Sequence, residues 1–419
     1  MEGDGFEHEE VGETPQQEFI EQSEVEQEID AEGGEGADYG DDTIEIDMSN
    51  NSVTYFDKHT DSVFTVAAHP KLPLVVSGGG DNQAHLWTTH REPPRQAGNV
   101  THSESVIGAA FTSDGRYLVT ADMNGQVRVH VAARQGQEWR PVAELQEVDE
   151  VVWLKVHPYR AGIFAIGAVD GSVWCYEMDT QNNTPVLLMT GVAHAQDCTM
   201  GVFLETAEDD DNVILVTCSL DGTIIGWNCY SGQQVFKVTP SELKGQEAQW
   251  ITLNALPLGI NRGSPIVACG SNSGLLAVIN AAQGAVLHLT QTIELKEDQE
   301  EMDASIESIA FSSKMNFMAA GLVSGDILLY DTVTLKVRHK FVLPDSVTKL
   351  AFDKATGFHL FASCIDGKVY EFDARNGQQL HVCVGHNMGV LDFVLLEENR
   401  RLITAGDEGV SLVFQLPPL

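Results

Sequence analysis

The chain has 419 residues and carries 62 Asp and Glu against 24 Lys and Arg, a formal net charge of −38 at pH 7. So large an excess of acid repels a phosphate backbone, because affinity for nucleic acid comes mainly from Lys and Arg that displace counterions. The sequence has no basic start leading into an apolar run and no run of about 18 apolar residues, which argues against a secretory signal and a membrane span. We therefore expect a protein of the cytoplasm, or of the nucleus, that binds neither nucleic acid nor membrane directly.

The acid is concentrated at the start of the chain, where residues 1–57 hold 20 Asp and Glu and no Lys or Arg. The first 42 residues are also poor in aromatic side chains, so they cannot bury enough apolar surface to offset the entropy lost on ordering. The sequence predicts a disordered acidic tail over residues 1–42 and a folded region over residues 43–419. Two roles stay open for the tail: solubility, or imitation of phosphate toward basic partners.

Seven cysteines are scattered along the chain without a C-x-x-C pair. Most stand in apolar alternating runs, where a thiol behaves as a small buried hydrophobic group, and an odd number of thiols fits a reducing compartment. The nearest approach to a metal pair is His194 with Cys198, which lacks the second pair that a zinc site needs. We expect neither a metal ion nor another cofactor.

After the tail, one pattern recurs: a short apolar run, a turn of Gly, Asp or Asn, and an alternating run. It occurs eight times, from LPLVVSGGGDNQAHLW to LITAGDEGVSLVF, at spacings of 42 to 52 residues. The pattern predicts strand, hairpin and strand, and this period is typical of four-stranded propeller blades. The aligned turn residues are Asn82, Gly125, Gly171, Gly222, Gly274, Gly325, Gly367 and Gly409.

Two copies share four polar and aromatic positions that resemble the structural hydrogen-bond tetrad of WD-repeat proteins. The positions are His59, Ser77, Asp81 and Trp87 in one copy, and His194, Thr217, Asp221 and Trp227 in the other. A Ser, His and Asp trio also suggests a hydrolase, but a nucleophile is needed once per active site, whereas these residues recur at blade positions. The sequence predicts an all-β, eight-bladed WD-repeat β-propeller that is not an enzyme and has no catalytic residues.

The last copy supplies only three strands. A propeller has to close its ring, because open strand edges invite aggregation. Residues 52–57, SVTYFD, alternate like a strand and precede the first copy. We predict that they form the outer strand of the eighth blade.

A carboxylate recurs where each blade begins, at the expected rim of the narrower, upper face. The aligned column is Asp61, Glu104, Glu150, Asp197, Glu247, Ala304, Asp345 and Met388. Its two gaps have other acids nearby, namely Asp303, Glu307, Asp407 and Glu408. We predict a ring of acid around the channel mouth that suits a partner rich in Lys and Arg. The alternative is that these acids only cap turns, although Glu is a poor turn residue.

Several stretches, among them DMSNNSVTYFDKHTDSVF, VACGSNSGLLAVIN and CVGHNMGVLDF, closely resemble a family of fungal WD-repeat proteins. Members of that family are dedicated chaperones of the large-subunit ribosomal protein uL16, and the angio-associated migratory cell protein belongs with them. The resemblance implies a monomeric propeller whose acidic face holds the basic N-terminal segment of newly made uL16, including the nascent chain, until it joins the 60S subunit. It assigns that role here to Glu104, Glu150, Glu307 and Asp407, with Asp61, Asp303 and Asp345 beside them.

A second class of function stays open at this point: a scaffold for several signalling or trafficking partners. Such a scaffold would use several faces and bind partners that are not basic. Pull-down composition separates the two classes, because a chaperone enriches ribosomal protein and nascent chains whereas a scaffold enriches receptor or kinase components.

Overall fold

The computed structural model describes residues 49–205, 212–260, 264–295 and 300–418. The predicted acidic tail over residues 1–42 lies outside the described residues. Within the described ranges, 32 strands form eight four-stranded antiparallel sheets. Three short 3-10 helices cover Arg134–Gly136, Glu301–Ala304 and Glu397–Asn399, and no helix in these ranges is long and apolar enough to cross a membrane.

The first four blades each take four consecutive strands of the chain. They are β2 Val63–Ala68, β3 Leu74–Gly79, β4 Gln83–Thr88 and β5 Gln96–Thr101 in blade 1; β6 Val106–Phe111, β7 Tyr117–Asp122, β8 Gln126–Ala133 and β9 Glu138–Gln146 in blade 2; β10 Val151–Val156, β11 Ile163–Ala168, β12 Ser172–Asp179 and β13 Thr184–Val192 in blade 3; and β14 Cys198–Phe203, β15 Ile214–Ser219, β16 Ile224–Asn228 and β17 Gln233–Val238 in blade 4.

Blades 5 to 7 repeat this order, and blade 8 combines the two ends of the described chain. The strands are β18 Trp250–Ala255, β19 Ile266–Ser271, β20 Leu275–Asn280 and β21 Ala285–Gln291 in blade 5; β22 Ile306–Phe311, β23 Phe317–Leu322, β24 Asp326–Asp331 and β25 Val337–Val342 in blade 6; β26 Val347–Phe352, β27 His359–Cys364, β28 Val369–Asp373 and β29 Gln378–Cys383 in blade 7; and β30 Val390–Leu396, β31 Arg401–Gly406, β32 Ser411–Gln415 and β1 Thr54–Phe56 in blade 8.

The first strand of each blade packs against the first strands of both neighbouring blades, so these eight strands surround a central channel. The prediction of an eight-bladed propeller is confirmed. We define the upper face by two sets of connections. The first set is the entry loops, each of which runs from the outer strand of one blade to the inner strand of the next. The second set is the turns between the second and third strands of each blade. The remaining connections form the lower face.

The hydrophobic core lies between blades. The cluster around Trp250, for example, draws on blades 4 and 5 together, and the cluster around Tyr117 draws on blades 2 and 3. Because neighbouring blades cover both faces of a sheet, a middle strand such as β3 is buried along its whole length, whereas the outer strand β5 is mostly exposed. The stability of the ring therefore depends on every blade having two neighbours.

Strand β1 brings the two ends of the described chain together. It pairs antiparallel with β32, with Thr54 opposite Val413 and Phe56 opposite Ser411. The Phe56 ring stacks on Trp87 of blade 1 at a centroid distance of 4.9 Å. A few residues earlier, Asn51 donates its backbone N–H to the Val384 carbonyl of blade 7 at 3.0 Å. Residues 51–56 thus contact blades 7, 8 and 1.

The recurrent turn glycine is needed for two reasons: its positive φ angle, and the close approach of the turn to the entry loop of the next blade. Gly125 has φ +80, and a Cβ atom there would lie 1.9 Å from the Val148 carbonyl in the entry loop of blade 3. Blade 1 is the exception, because Asn82 adopts φ 62 and donates its side-chain N–H to the Ser103 carbonyl at 3.3 Å. The turn of each of these blades therefore touches the loop that starts the next blade.

Gly125→Ala is expected to destabilise the fold by at least about 1–3 kcal/mol more than Gly245→Ala. Both glycines have a positive φ, which costs an alanine about 1–2 kcal/mol, but a Cβ at Gly245 would meet nothing within 4 Å. The difference isolates the clash with the entry loop. Urea unfolding of both variants measures it, and equal free energies of unfolding would contradict the contact.

Candidate functional site

Two recurrent histidines link an entry loop to the second strand of its blade. In blade 1, His59 Nε2 lies 2.9 Å from Ser77 Oγ and His59 Nδ1 lies 3.0 Å from Asp81 Oδ1. The Trp87 indole N–H donates to the same Ser77 oxygen at 3.1 Å. In blade 4, His194 contacts Thr217 in the same way, and burial lowers the pKa of His194 to about 4. These buried histidines are structural links.

Blades 2 and 8 contain the same link. His102 Nε2 lies 2.8 Å from Thr120 Oγ1, and His386 Nε2 lies 2.6 Å from Thr404 Oγ1. Recurrence in four blades supports the structural interpretation over a catalytic trio, since an active site needs its nucleophile once.

One group of side chains on this face has the residue types of a metal site. Ligand atoms of His59, Asp81 and His85 lie within 4.8 Å of one another. Both ring nitrogens of His59 are already hydrogen-bonded, to Asp81 and to Ser77. A metal ion would have to break that link, so the group is explained by the tetrad.

The structure corrects the register of the predicted acid column. In every blade, a residue in the turn between the second and third strands donates its N–H to the carbonyl of the residue directly before the inner strand. The carbonyl residues are Ser62, Ser105, Glu150, Asp197, Gln249, Ser305, Ser346 and Gly389. This bond defines equivalent positions independently of the sequence.

By that criterion the predicted acids do not form one ring of equivalent residues. Asp61, Glu104 and Asp345 lie one residue before the carbonyl position. Glu150 and Asp197 lie at the carbonyl position itself, so their alignment with Asp61 was wrong by one residue. Glu247 lies two residues before the carbonyl position and was also misaligned. The entry loops of blades 4 and 5 are longer than that of blade 2, so residue counting slips there, whereas Glu150 was misaligned although the entry loops of blades 2 and 3, residues 102–105 and 147–150, have the same length.

The three carboxylates that are equivalent share one local geometry. Asp61 and Asp345 each accept the N–H of the following serine at 2.7 Å, and Glu104 accepts the Ser105 N–H at 3.2 Å. All three residues are exposed. The bond fixes one carboxylate oxygen and leaves the other without a backbone donor among the described residues, so that oxygen can accept from a partner.

The remaining predicted acids reach the upper face from other positions. Glu307 lies on the inner strand of blade 6, is exposed, and accepts the Ser305 hydroxyl at 2.8 Å. Asp407 accepts the Ser62 hydroxyl at 2.7 Å and so joins blade 8 to blade 1. Asp303 accepts the Glu300 N–H at 3.1 Å and caps a 3-10 helix. Asp303 and Asp407 therefore have structural contacts that Glu307 lacks.

Sequence reasoning missed several exposed acids on this face, among them Asp149 and Glu301. Asp149 is the blade 3 equivalent of Asp61. Aligning the blades on the buried residue that starts each inner strand, such as Val151, would have identified this equivalence. Glu301 lies with Glu247 on a cleft of about 440 Å³ between the long entry loops of blades 5 and 6. No repeat signal marks Glu301, because its loop has no counterpart of equal length.

The predicted carboxylates lack an ion-pair partner in the part of the chain that the structure describes. Within the described ranges, none of the nine forms an ion pair with Lys, Arg or His. The described upper loops contain three bases, Lys58, Lys244 and Lys368, and Lys58 is paired with Asp57. The negative potential of the upper face is thus largely uncompensated by the protein.

Exposed apolar side chains lie among these acids. Phe64 follows Val63 in the inner strand of blade 1, and Met388 lies in the entry loop of blade 8; they are 37% and 49% exposed. Met123 and Ile365, in the turns of blades 2 and 7, are exposed as well. The upper face therefore combines carboxylates with apolar contact area, the two surfaces that a segment of mixed basic and apolar residues needs.

Positive charge lies deeper, on the channel wall. Lys349 of blade 7 forms an ion pair with Asp392 of blade 8. Lys155 of blade 3 lies across the ring, and its pKa is lowered by desolvation and then by Lys349. Lys155 is exposed on the inner strand of blade 3, which lies opposite blade 7 in the ring.

The eight blades, together with the tetrads of blades 1 and 4, define a WD-repeat β-propeller. The family model for the WD domain, G-beta repeat, matches residues 50–88 and 97–130. The chain is 57% identical to the ribosome assembly protein SQT1 of Saccharomyces cerevisiae, over 96% of this chain and 99% of that protein. The chain therefore belongs to the Sqt1 family.

Other relatives agree with this assignment. The human angio-associated migratory cell protein is 27% identical over 87% of this chain and 80% of the human protein. The crystal structure of S. cerevisiae Sqt1 superimposes with a TM-score of 0.86 at 59% identity, covering 88% of this chain and all of that one. Chaetomium thermophilum Sqt1, crystallised bound to the N-terminus of the ribosomal protein L10, superimposes with a TM-score of 0.78 at 26% identity, with coverage of 88% and 100%.

Proposed function

We propose that the upper face binds the basic N-terminal segment of newly made ribosomal protein L10 (uL16) and holds it for delivery to the 60S subunit. The supporting observation is the set of exposed carboxylates without an ion-pair partner in the described ranges. The crystal structure of the C. thermophilum relative contains the same ligand class. In this proposal the protein acts by binding, as a monomer, in the cytoplasm.

The partner-binding set is the one assigned from the sequence, in its corrected positions. Glu104, Glu150, Glu307 and Asp407 carry the role, with Asp61, Asp197, Glu247, Asp303 and Asp345 around them. Glu104 and Glu307 are the strongest members, because both are exposed and their hydrogen bonds to protein are short-range bonds to serine. They lie on blades 2 and 6, on opposite sides of the mouth, so one segment crossing the mouth contacts both.

Charge alone does not give a tight complex. An exposed carboxylate and cation contribute about 0.2–1 kcal/mol, so about six such pairs fall short of the ~12 kcal/mol of a nanomolar complex. Bidentate contacts from Arg and burial of Phe64 and Met388 supply the rest. We expect the carboxylates to set the association rate and the choice of partner, and the apolar residues to set the residence time.

Binding of a synthetic L10 N-terminal peptide is expected to weaken by at least about ten-fold between about 50 mM and about 500 mM NaCl, because exposed ion pairs are screened. Calorimetric titration measures it. The control is a peptide with its Lys and Arg replaced by Gln, which should bind weakly at both salt concentrations. Salt-independent binding, or equal binding of the control peptide, would contradict the proposal.

A further inference from the structure

Blade 2 lacks the tryptophan that completes the tetrad of blades 1 and 4. Strand pairing places Arg128 opposite Thr120, as it places His85 opposite Ser77 in blade 1. His130 is therefore the equivalent of Trp87, ten residues after the hydroxyl residue in each case. An imidazole is much smaller than an indole, so the substitution leaves space.

His130 lines a cleft of about 580 Å³ between the outer strand of blade 1 and the two outer strands of blade 2. Asn99 and Thr101 line one wall, and Arg128, His130 and Glu144 line the other. The cleft lies at the circumference of the propeller, whereas the predicted acids surround the channel mouth.

Two buried nitrogens in the cleft lack hydrogen-bond partners. His130 is only 8% exposed, and its Nδ1 has no hydrogen-bond partner among the described residues. The Arg128 side chain is 30% exposed, but its Nε atom is buried and has no partner in the same ranges. Burial lowers the pKa of His130 to about 4, with the charge of Arg128 as the next cause and His102 also facing it. A neutral imidazole can place its proton on Nδ1, so both nitrogens are available as donors.

The guanidinium is held in one orientation. Its Nη1 donates to the Thr101 carbonyl, whereas Nε is buried and has no hydrogen-bond partner among the described residues. Nη2 lies 3.7 Å from Glu144 Oε2, too far for a hydrogen bond, and the Glu144 side chain is 59% exposed. The other Glu144 oxygen accepts from Gln126 at 2.8 Å. Glu144 thus balances the charge of Arg128 without accepting a hydrogen bond from its Nη2.

We propose that this cleft binds the side-chain carboxylate of an acidic peptide segment, with Arg128 Nε and Nη2 donating to its two oxygens and His130 Nδ1 donating to one of them. A planar carboxylate matches the fork of a guanidinium edge. The site holds one cation beside the carboxylate of Glu144, which suits a singly charged group and disfavours a dianionic phosphate. The protein then has two sites of opposite charge preference: the acidic mouth for basic segments and this cleft for acidic ones.

The test uses the full-length chain, the blocked peptide acetyl-Glu-Glu-Glu-amide, and inorganic phosphate at matched ionic strength. NMR follows the Arg128 Nε–H signal and the His130 ring signal. Saturable shifts of both signals are expected with the peptide, and weaker binding with phosphate. Unmoved signals, or tighter binding of phosphate than of the peptide, would overturn the proposal.

Two variants and a control make the assignment specific. Arg128→Gln should weaken peptide binding at least about ten-fold, read from the His130 signal. His130→Trp places the residue of blades 1 and 4 beside Arg128 and removes the Nδ1 donor, so the response of the Arg128 signal to the peptide should weaken. Arg140→Gln removes an exposed charge paired with Glu138 on the neighbouring strand and should change nothing. Wild-type affinity in Arg128→Gln would refute the site even if His130→Trp failed to fold.

Discussion

Deletion of residues 49–57 is expected to abolish the single cooperative unfolding transition of the propeller. The deletion removes the ladder to β32, the bond from Asn51 to blade 7 and the Phe56 ring that stacks on Trp87. Loss of the buried Phe56 side chain alone costs about 3–5 kcal/mol. The deletion also leaves the edge of β32 open and exposes Trp87, so self-association should accompany the loss of stability. Thermal melting and light scattering measure the two effects.

The controls separate the strand from the segment that precedes it. Deletion of residues 1–40 should leave melting unchanged, because this stretch is rich in Asp and Glu and poor in aromatic side chains and so has little apolar surface to bury. Within the strand, Phe56→Ala should be strongly destabilising and Tyr55→Ala nearly neutral, since the two residues are 3% and 56% exposed. An unchanged melt after deletion of residues 49–57 would mean that blade 8 does not need a fourth strand.

The fold could be predicted because each blade repeats a local signal. The buried hairpin of β3 and β4 is bounded by residues that favour a turn, and Asn82 and Gly125 stand at equivalent turns with positive φ. The contact between Gly125 and the Val148 carbonyl was not predictable, because it joins a turn to a loop of another blade. Sequence periodicity thus defined the blades, and packing between blades explains why the turn residue is so constrained.

The site was predicted less completely, for a physical reason. Each inner strand has a register shift at its start, as between Val63 and Thr65 or between Val151 and Trp153, and the entry loops before it differ in length. A one-residue error there changes which acid is assigned, so Glu150 was aligned with Asp61 in place of Asp149. The predicted excess of acid on the upper face is insensitive to such errors, since it depends on composition. The geometry of each carboxylate depends on its exact position and could not be predicted.

Glu104→Lys is expected to raise the dissociation constant for the L10 peptide at least about ten-fold. The double variant, which combines Glu104→Lys with Glu307→Lys, is expected to raise it about a hundred-fold. Each change removes an attractive pair and places a cation against a basic segment. Stability should be unaffected, because these side chains are exposed and their hydrogen bonds reach only neighbouring serines. Titration at low salt measures the affinities, and melting checks the fold.

Glu398→Lys is the matched control, since Glu398 is an exposed acid on the lower face and the change in net charge equals that of Glu104→Lys. If the effect came only from the total charge of −38, the two single variants would weaken binding equally. If the upper face is the site, Glu398→Lys binds like the wild type and only the upper-face variants lose salt dependence. Wild-type affinity in the double variant would move the site away from the channel mouth, because both carboxylates flank any segment that crosses it.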